Sequence, residues 1–276
     1  MRRVAAADRV VAPLALFVSA YLATLIVGLS VAHVTGFHAA QWVALLAVVV
    51  ATWAAVMLND RGKWPLGLAV APRAAAREAL FGCLFAALLI IAIDRCIALT
   101  AFVRHGAGIG FPWLELGAVY LPAVFHEELL FRGYAYQRLR NRNRAVAIVL
   151  TSLLFAGVHA GNAAVSWLAL TNIAVAGVLL ALAYERYRRL WFPIGIHFGW
   201  NIVSGSILGY GVSGYASEAT VLTTQVRGAA WLTGGAFGVE GSVCALAVEM
   251  VAVVVLAITV RSHERRVAEG RLQHEA

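Results

Sequence analysis

The hydrophobic positions of this chain fall into long apolar runs separated by short polar segments. Apolar runs of about 20 residues are typical of helices that cross a bilayer. We therefore predict an all-α, polytopic membrane protein with about eight spans, at residues 11–34, 38–58, 79–103, 112–137, 145–160, 164–184, 190–209 and 242–260. The first run is longer than the apolar core of a signal peptide, so we expect it to remain as a helix.

The polar segments between the runs predict the orientation of the chain. With the N-terminus inside, nearly all Lys and Arg residues fall in cytoplasmic segments, and the exceptions are Arg95, Arg104, Arg132 and Arg227. Basic residues favour the cytoplasmic side of a membrane. We therefore predict an even number of spans with both termini in the cytoplasm. The outer segment from about 210 to 241 is rich in Gly, Ser and Thr, which predicts a flexible or partly re-entrant loop.

Composition supports a membrane protein and argues against other classes. The chain is 62% hydrophobic and 13% charged, whereas soluble domains carry about 25% charged residues. The net charge of +8 lies in short segments between apolar runs, so it indicates topology and not nucleic-acid binding. The cysteines all lie in apolar runs and show neither a disulfide framework nor zinc-site spacing: Cys83, Cys96 and Cys244.

The fourth run contains a polar sequence that begins at His126. Glu127, Glu128 and Arg132 place three formal charges in one predicted span, and each charge costs about 2.5–3.5 kcal/mol at a helix centre. Glu128 and Arg132 are four residues apart, so an ion pair within the helix is predicted. Glu127 is rotated by about 100° and is left for another function. We interpret His126 as a donor in helix packing.

The fifth run ends in a second polar feature. Phe155 and His159 are four residues apart and share a helix face. Gly157 is predicted to let a neighbouring helix approach closely. Counting the helix rise of about 1.5 Å per residue from the inner flank makes His159 deeper than Glu127. Tilt, or a fifth helix that begins after Arg144, would remove this difference.

The seventh run contains a third polar feature, in which His197 and Asn201 are again four residues apart. Pro193, Gly195 and Gly199 reduce the bulk of the surrounding helix. A histidine and an asparagine on one face offer hydrogen-bond donors at a fixed spacing. Such residues also connect helices within a membrane, so this alternative stays open.

Together these side chains suit the hydrolysis of a peptide bond. A carboxylate and a histidine can deprotonate and orient a water, while a second histidine and an asparagine can donate to a developing oxyanion. The same glutamate and two histidines could instead hold a divalent metal such as zinc, which would activate the water. The sequence has no HExxH motif, the usual helical zinc-protease signature.

The three features resemble the motifs of a known family. Glu127-Glu128-x3-Arg132, Phe155-x3-His159 and His197-x3-Asn201 are similar to the motifs of the CAAX prenyl protease and bacteriocin-processing (CPBP, Abi) intramembrane proteases. Their order and placement in spans also match. The resemblance covers about residues 111–210, which we predict to be the protease core. Residues 1–110 would hold the first three helices, and residues 211–276 the external loop, the last helix and a cytoplasmic tail.

The resemblance implies an intramembrane endopeptidase that acts on a membrane-associated or lipid-modified protein or peptide. Glu127 would be the general base, with His159 assisting, and His197 and Asn201 would form the oxyanion hole. The supporting residues would be Glu128 and Arg132. The family is often called metalloproteases, but we favour a glutamate mechanism that requires no cofactor.

The family also suggests substrates and an origin. Eukaryotic members cut the last three residues from prenylated CAAX proteins, and bacterial members are linked to bacteriocin maturation and self-immunity. The Ala- and Arg-rich chain indicates a bacterial cell membrane, which argues against a prenylated substrate.

Two other functions compete with the protease. One is a non-catalytic bacteriocin-immunity or scaffold membrane protein on the same fold, against which the intact catalytic positions argue. The other is a proton-coupled transporter, for which Asp94 and Arg95 in the third span supply a further charged pair. The absence of an inverted repeat argues against a transporter.

Overall fold

The computed structural model describes residues 2–36 and 39–275, with side chains described for 10–36 and 39–269. Part of the orientation prediction rests on side chains outside these ranges: Arg2, Arg3, Arg9 and Arg271. Residue 38, the predicted start of the second span, also lies outside the described residues.

The described chain is 75% helical, which confirms the prediction of a nearly all-α membrane protein. Five described helices are long and apolar enough to cross a bilayer. They are α1 (Arg2–Thr35), α2 (Ala40–Asp60), α3 (Pro72–Thr100), α8 (Trp167–Tyr187) and α11 (Val243–Glu275). The count of about eight spans stays a prediction, because the helices in the other three predicted spans are shorter or interrupted.

The predicted fourth span is a series of helices and not one continuous helix. It consists of α4 (Trp113–Glu115), a π-helix (Leu116–Tyr120), α5 (Leu121–Arg132) and α6 (Tyr134–Arg140). The break falls at Gly133, where φ is −79° and ψ is −134°. A Cβ atom at this position would collide with the carbonyl oxygen of Leu129. Only glycine therefore allows the chain to turn between α5 and α6.

The fifth and seventh predicted spans form α7 (Arg144–Val158) and α9 (Trp191–Asn201). The Asn143 side chain caps α7 by accepting a hydrogen bond from the backbone N–H of Val146 at 3.1 Å. A second π-helix, Ile202–Ile207, follows α9 directly. Irregular helical turns of this kind are frequent at functional sites.

A two-stranded antiparallel sheet joins two segments that are far apart in the sequence. Strand β1 (Phe102–Ala107) pairs with β2 (Leu222–Arg227). The pairing corrects the predictions that residues 102–103 end the third span and that 210–241 is a flexible loop. The short helix α10 (Ala230–Thr233) and two 3₁₀ turns (Gly235–Phe237 and Val239–Gly241) also fold within that segment. Strand pairing depends on a partner, and here the partner lies far away in sequence.

Glycines set the contact between α3 and α9. Added Cβ atoms at Gly82 and Gly195 would collide with the backbone of the opposite helix, and one at Gly199 would lie 2.7 Å from the Cα of Cys83. Gly195 and Gly199 share a helix face because they are four residues apart. His197 and Asn201 therefore project from another face of α9.

A different glycine from the predicted one brings α7 against α8. A Cβ atom at Gly177 of α8 would lie 2.8 Å from the Cα of Ser152 in α7, whereas one at Gly157 would have no neighbour within 4 Å. The prediction for Gly157 is therefore wrong. Gly157 is exposed, on a face of α7 that packs against no described helix.

The buried side chains form two hydrophobic clusters, and Leu130 of α5 packs against both of them. One cluster is built mainly from α3, α7, α8, α9 and α11, and the other mainly from α1, α2, α5 and α6. Helix α5, which carries the charged residues of the fourth run, is therefore enclosed by protein. This enclosure removes the cost of exposing three charges to lipid.

Candidate active site

The candidate active site is a cavity of about 740 Å³, and all four predicted catalytic side chains line it. Glu127 comes from the middle of α5, and His159 directly follows the end of α7. His197 and Asn201 come from the last turns of α9. Three segments that are far apart in sequence thus meet at one place, as the three motifs predict.

Glu127 faces the two histidines. Its Oε2 atom lies 3.7 Å from Nε2 of His197 and 4.0 Å from Nε2 of His159. Both distances exceed those of direct hydrogen bonds. This oxygen is buried and accepts no hydrogen bond from the described residues. The separations suit one water that bridges the carboxylate and an imidazole.

The ring of His159 is oriented by its own helix. Its Nδ1 atom lies 2.7 Å from the carbonyl oxygen of Phe155, and a carbonyl only accepts, so Nδ1 is the donor. The Nε2 atom is consequently an acceptor and is directed towards Glu127. Helix α7 begins at Arg144, so a later start does not explain the depth difference predicted from sequence. The break at Gly133 can only shorten the distance from the inner flank to Glu127, so it does not explain the difference either, and tilt is the alternative that is left.

The predicted ion pair between Glu128 and Arg132 is present and fully enclosed. Arg132 donates from Nη1 to Oε1 of Glu128 at 3.1 Å and from Nη2 to the carbonyl oxygen of Gly177 at 3.2 Å. The guanidinium also lies 4.6 Å from the centre of the Phe155 ring. The exposed fractions of the two charged side chains are 1% and 0%. The charge of each partner is therefore balanced inside the protein.

Glu128 also holds His197, a contact that sequence analysis missed. Its Oε1 atom lies 2.9 Å from Nδ1 of His197. The carboxylate accepts this hydrogen bond, which turns Nε2 of His197 towards Glu127. The spacing within one helix predicts the partner Arg132, but the contact with α9 depends on how two helices pack.

Asn201 and His126 complete the polar lining. Asn201 is 9% exposed, and within the described chain no hydrogen bond engages its amide, so the amide can donate to a ligand. His126 accepts or donates a 2.8 Å hydrogen bond with the hydroxyl of Tyr21 in α1. This contact agrees with the interpretation of His126 as a residue of helix packing.

The outer segment closes one side of the cavity. Asn162, three residues after His159, donates to the carbonyl oxygen of Ser213 at 2.8 Å. Glu240 accepts from Nε1 of Trp200 at 2.9 Å and from the backbone N–H of Ser213 at 2.6 Å. The outer segment is thus hydrogen-bonded to α9 and to the turn that follows α7.

The positions of the two histidines and of the nearby acidic side chains bear on the metal alternative. Both histidines use Nδ1 in a hydrogen bond and direct Nε2 inwards, as metal-ligating histidines do. Within the part of the chain that the structure describes, however, no group of three or more His, Cys, Asp and Glu side chains is placed to hold a metal ion. We therefore derive no chemical step through a metal, and the metal-activated water stays an alternative hypothesis.

Asp94 and Arg95, the pair that raised the transporter hypothesis, lie outside this cavity. Asp94 accepts hydrogen bonds from the Tyr210 hydroxyl at 2.6 Å and from Nε of Arg95 at 2.9 Å. Nε2 of His105 in β1 lies 3.1 Å from the same carboxylate. The group thus connects α3 to the β-sheet and to the segment that follows α9.

A comparison with known families matches residues 109–203 to the family described as Type II CAAX prenyl endopeptidase Rce1-like. No curated protein matches the chain. The matched segment contains all three motifs and every side chain that faces Glu127 in the geometry above. Residues 109–203 of this integral membrane protein therefore match the Rce1-like CAAX prenyl endopeptidase family.

Proposed function

We propose that the protein is an intramembrane endopeptidase that hydrolyses a peptide bond of a membrane-associated or lipid-modified protein or peptide. One observation carries the proposal. A buried carboxylate oxygen of Glu127, which accepts no hydrogen bond from the described residues, faces the Nε2 atoms of two oriented histidines inside a cavity. The match to the Rce1-like family supports the same class of reaction.

The first step is the activation of a water between Glu127 and His159. A water that bridges their facing atoms, 4.0 Å apart, donates one hydrogen to each of them. Its oxygen lone pairs are then directed towards a substrate carbonyl. Glu127 removes a proton as this oxygen attacks the carbonyl carbon, and positioned general bases contribute about 10²–10⁴-fold to such rates.

The attack forms a tetrahedral intermediate with a negatively charged oxygen. The Asn201 amide can donate to this oxygen directly. Since Nδ1 of His197 is bound by Glu128 at 2.9 Å, His197 can donate from Nε2 only as an imidazolium. Glu127, Glu128 and Arg132 sum to one negative charge, and the imidazolium brings the group to neutrality. Two donors aimed at the oxyanion supply the electrostatic part of the catalysis.

The intermediate then collapses with cleavage of the C–N bond. Protonated Glu127 returns its proton to the departing amine nitrogen, so one water is consumed and a carboxylic acid and an amine are released. Glu128 and Arg132 do not touch the reacting atoms in this scheme. They position His197 and keep the charge of α5 balanced.

The enclosing helices support a substrate that resides in or on the membrane. The cavity has Leu130, Phe131, Leu179 and Leu180 among its lining residues, and five described helices are suited to span a bilayer. A peptide tethered to lipid is held at the level of the site, which raises its local concentration. The predicted cytoplasmic position of both termini and the bacterial membrane stay part of the proposal.

The protease is tested by comparing membrane fractions from cells that produce the wild type and the Glu127→Gln variant. We expect at least one membrane protein to be shortened by wild type and intact with Glu127→Gln, at equal amounts of the two enzymes. Purified wild type should then cleave a peptide that spans the new terminus. Cleavage by Glu127→Gln at the wild-type rate would overturn the assignment. An unchanged proteome together with an unchanged phenotype would favour the non-catalytic scaffold.

The metal alternative has its own test. The glutamate mechanism predicts that purified enzyme, dialysed against a chelator, keeps its cleavage rate and carries no stoichiometric metal by elemental analysis. Loss of activity on dialysis, with recovery on addition of zinc, would establish the metal-activated water instead.

A further inference from the structure

One further carboxylate in the same cavity, that of Glu249, takes no part in the reaction above. Glu249 of α11 is 1% exposed and lines the cavity. Its Oε2 atom is buried and has no hydrogen-bond partner among the described residues. A buried carboxylate without a partner is costly for the folded protein. A ligand that binds in the cavity can supply the missing partner and offset this cost.

Glu240, another acidic residue of the same cavity, has hydrogen-bond partners on both carboxylate oxygens. One of its oxygens accepts from Trp200, and the other accepts from the backbone and the hydroxyl of Ser213. Its hydrogen bonds hold the outer segment in place. Glu249 makes no equivalent contact with the outer segment, so structural anchoring does not account for it.

The charges around the cavity favour a cation. Its described lining includes the carboxylates of Glu127, Glu240 and Glu249 and contains neither lysine nor arginine. Arg132 is turned away, towards Glu128 and the Gly177 carbonyl oxygen. The group around Glu127 is neutral in the mechanism above, so an entering cation would meet the two further carboxyl groups, those of Glu240 and Glu249, in surroundings of low polarity, where attraction between opposite charges is strong.

The wall beside Glu249 suits a long side chain. Helix α8 packs against α11 and contributes Ile173, Leu179 and Leu180 to the cavity lining. The methylene stem of lysine or arginine can pack on apolar walls of this kind while its charged end reaches a carboxylate. A backbone amide or a neutral side chain would bring no positive charge to pair with this carboxylate.

We propose that Glu249 forms a subsite for a basic side chain, lysine or arginine, of the peptide substrate. The inference rests on the proposed protease function, since it names a feature of that substrate. Binding of the cation itself does not depend on catalysis, so the two proposals are tested separately.

The first test measures binding of a lysine-like probe to the purified full chain in detergent. We expect n-hexylammonium to raise the Tm of wild type more than n-hexanol does, because a ligand that binds only the folded state stabilises it. Glu249→Gln should lose this difference, and Glu218→Gln, a matched change at an exposed position outside the cavity, should keep it. Glu249→Leu provides a second variant if Glu249→Gln folds poorly. Equal responses of wild type to the two probes, or a difference that persists in Glu249→Gln, would overturn the subsite.

The second test measures selectivity with paired peptides that carry lysine or methionine at successive positions around the cleaved bond. Wild type should prefer lysine at one position by about tenfold or more in kcat/KM, the value of one charged hydrogen bond. The ratio should fall close to one in Glu249→Gln and persist in Glu218→Gln. A wild type that cleaves both peptides equally would refute the subsite alone, whereas cleavage that survives Glu127→Gln would refute the protease.

Discussion

Two groups of buried charges in this protein differ in how completely their hydrogen bonds are satisfied. Near the C-terminal end of α3, the carboxylate of Asp94 has partners on both oxygens, from Tyr210, Arg95 and His105. In α5, Glu127 lines the cavity, and its Oε2 atom receives no hydrogen bond from the part of the chain that the structure describes. Sequence analysis placed both groups in predicted spans, but it assigned a catalytic role only to Glu127 and linked Asp94 and Arg95 to the competing transporter hypothesis.

The difference distinguishes a structural group from a chemical one. A buried polar group whose partners are all within the protein lowers the energy of one fold. A buried polar oxygen with no partner raises the energy of the free protein, and it is compensated when a water or substrate binds. Glu128 differs from its neighbour Glu127 in that its Oε1 atom is paired with both Arg132 and His197.

The largest expected effect is on kcat, when the same acid-to-amide substitution is made in each of the two groups. Glu127→Gln should lower kcat for peptide cleavage by about 10²–10⁴-fold, the usual contribution of a general base. Asp94→Asn should leave kcat unchanged within error, because Asp94 does not line the cavity. Both rates are measured on one peptide with purified enzymes of equal concentration. A similar loss of kcat in both variants would break the distinction between the groups.

Removal of the buried arginine should destabilise the protein. Arg132→Met leaves Glu128 without its cation, and breaking a buried pair in this way costs about 3–5 kcal/mol. The double variant Glu128→Gln with Arg132→Met should regain part of this free energy, because no lone charge remains. Thermal or denaturant unfolding in detergent measures both values. A single variant as stable as wild type would contradict a structural role for the pair.

Removal of one oxyanion donor should reduce the rate and spare the fold. Asn201→Ala is expected to lower kcat by about 10²–10³-fold with a smaller change in KM, as for other oxyanion donors. The Tm should stay near that of wild type, since the Asn201 amide makes no hydrogen bond within the described chain. An unchanged kcat would remove Asn201 from the proposed mechanism.

The smallest expected effect is a local loss of stability in the sheet formed by β1 and β2. Asp94→Asn weakens hydrogen bonds to Tyr210 and His105 and should cost about 1–3 kcal/mol. The loss should appear as faster amide hydrogen exchange in residues 102–107 and 222–227, where β1 and β2 pair. Exchange that is unchanged in the sheet would show that Asp94 does not anchor it.

Sequence analysis predicted the fold class and the side chains that meet in the cavity, because both depend on local patterns. Apolar runs report burial in lipid, and the four-residue spacing of Glu128 with Arg132 reports a helix face. It did not predict the break at Gly133, where any Cβ atom would collide with the carbonyl oxygen of Leu129. It also assigned close packing to Gly157, whereas Gly177 makes that contact. A glycine allows close helix packing only if it faces a neighbouring helix, and the sequence of one helix does not show which face that is.

The sequence by itself thus determined a nearly all-α membrane protein, three polar motifs and a paired Glu128 beside a free Glu127. Only the tertiary structure decided that Glu128 orients His197, that Asp94 is an anchor of the outer sheet, and that Glu249 enters the cavity. Periodicity along a chain records which residues share a face of one helix. Contacts between α5, α9 and α11 depend on the packing of helices that are distant in sequence, and that packing sets which buried charges find partners.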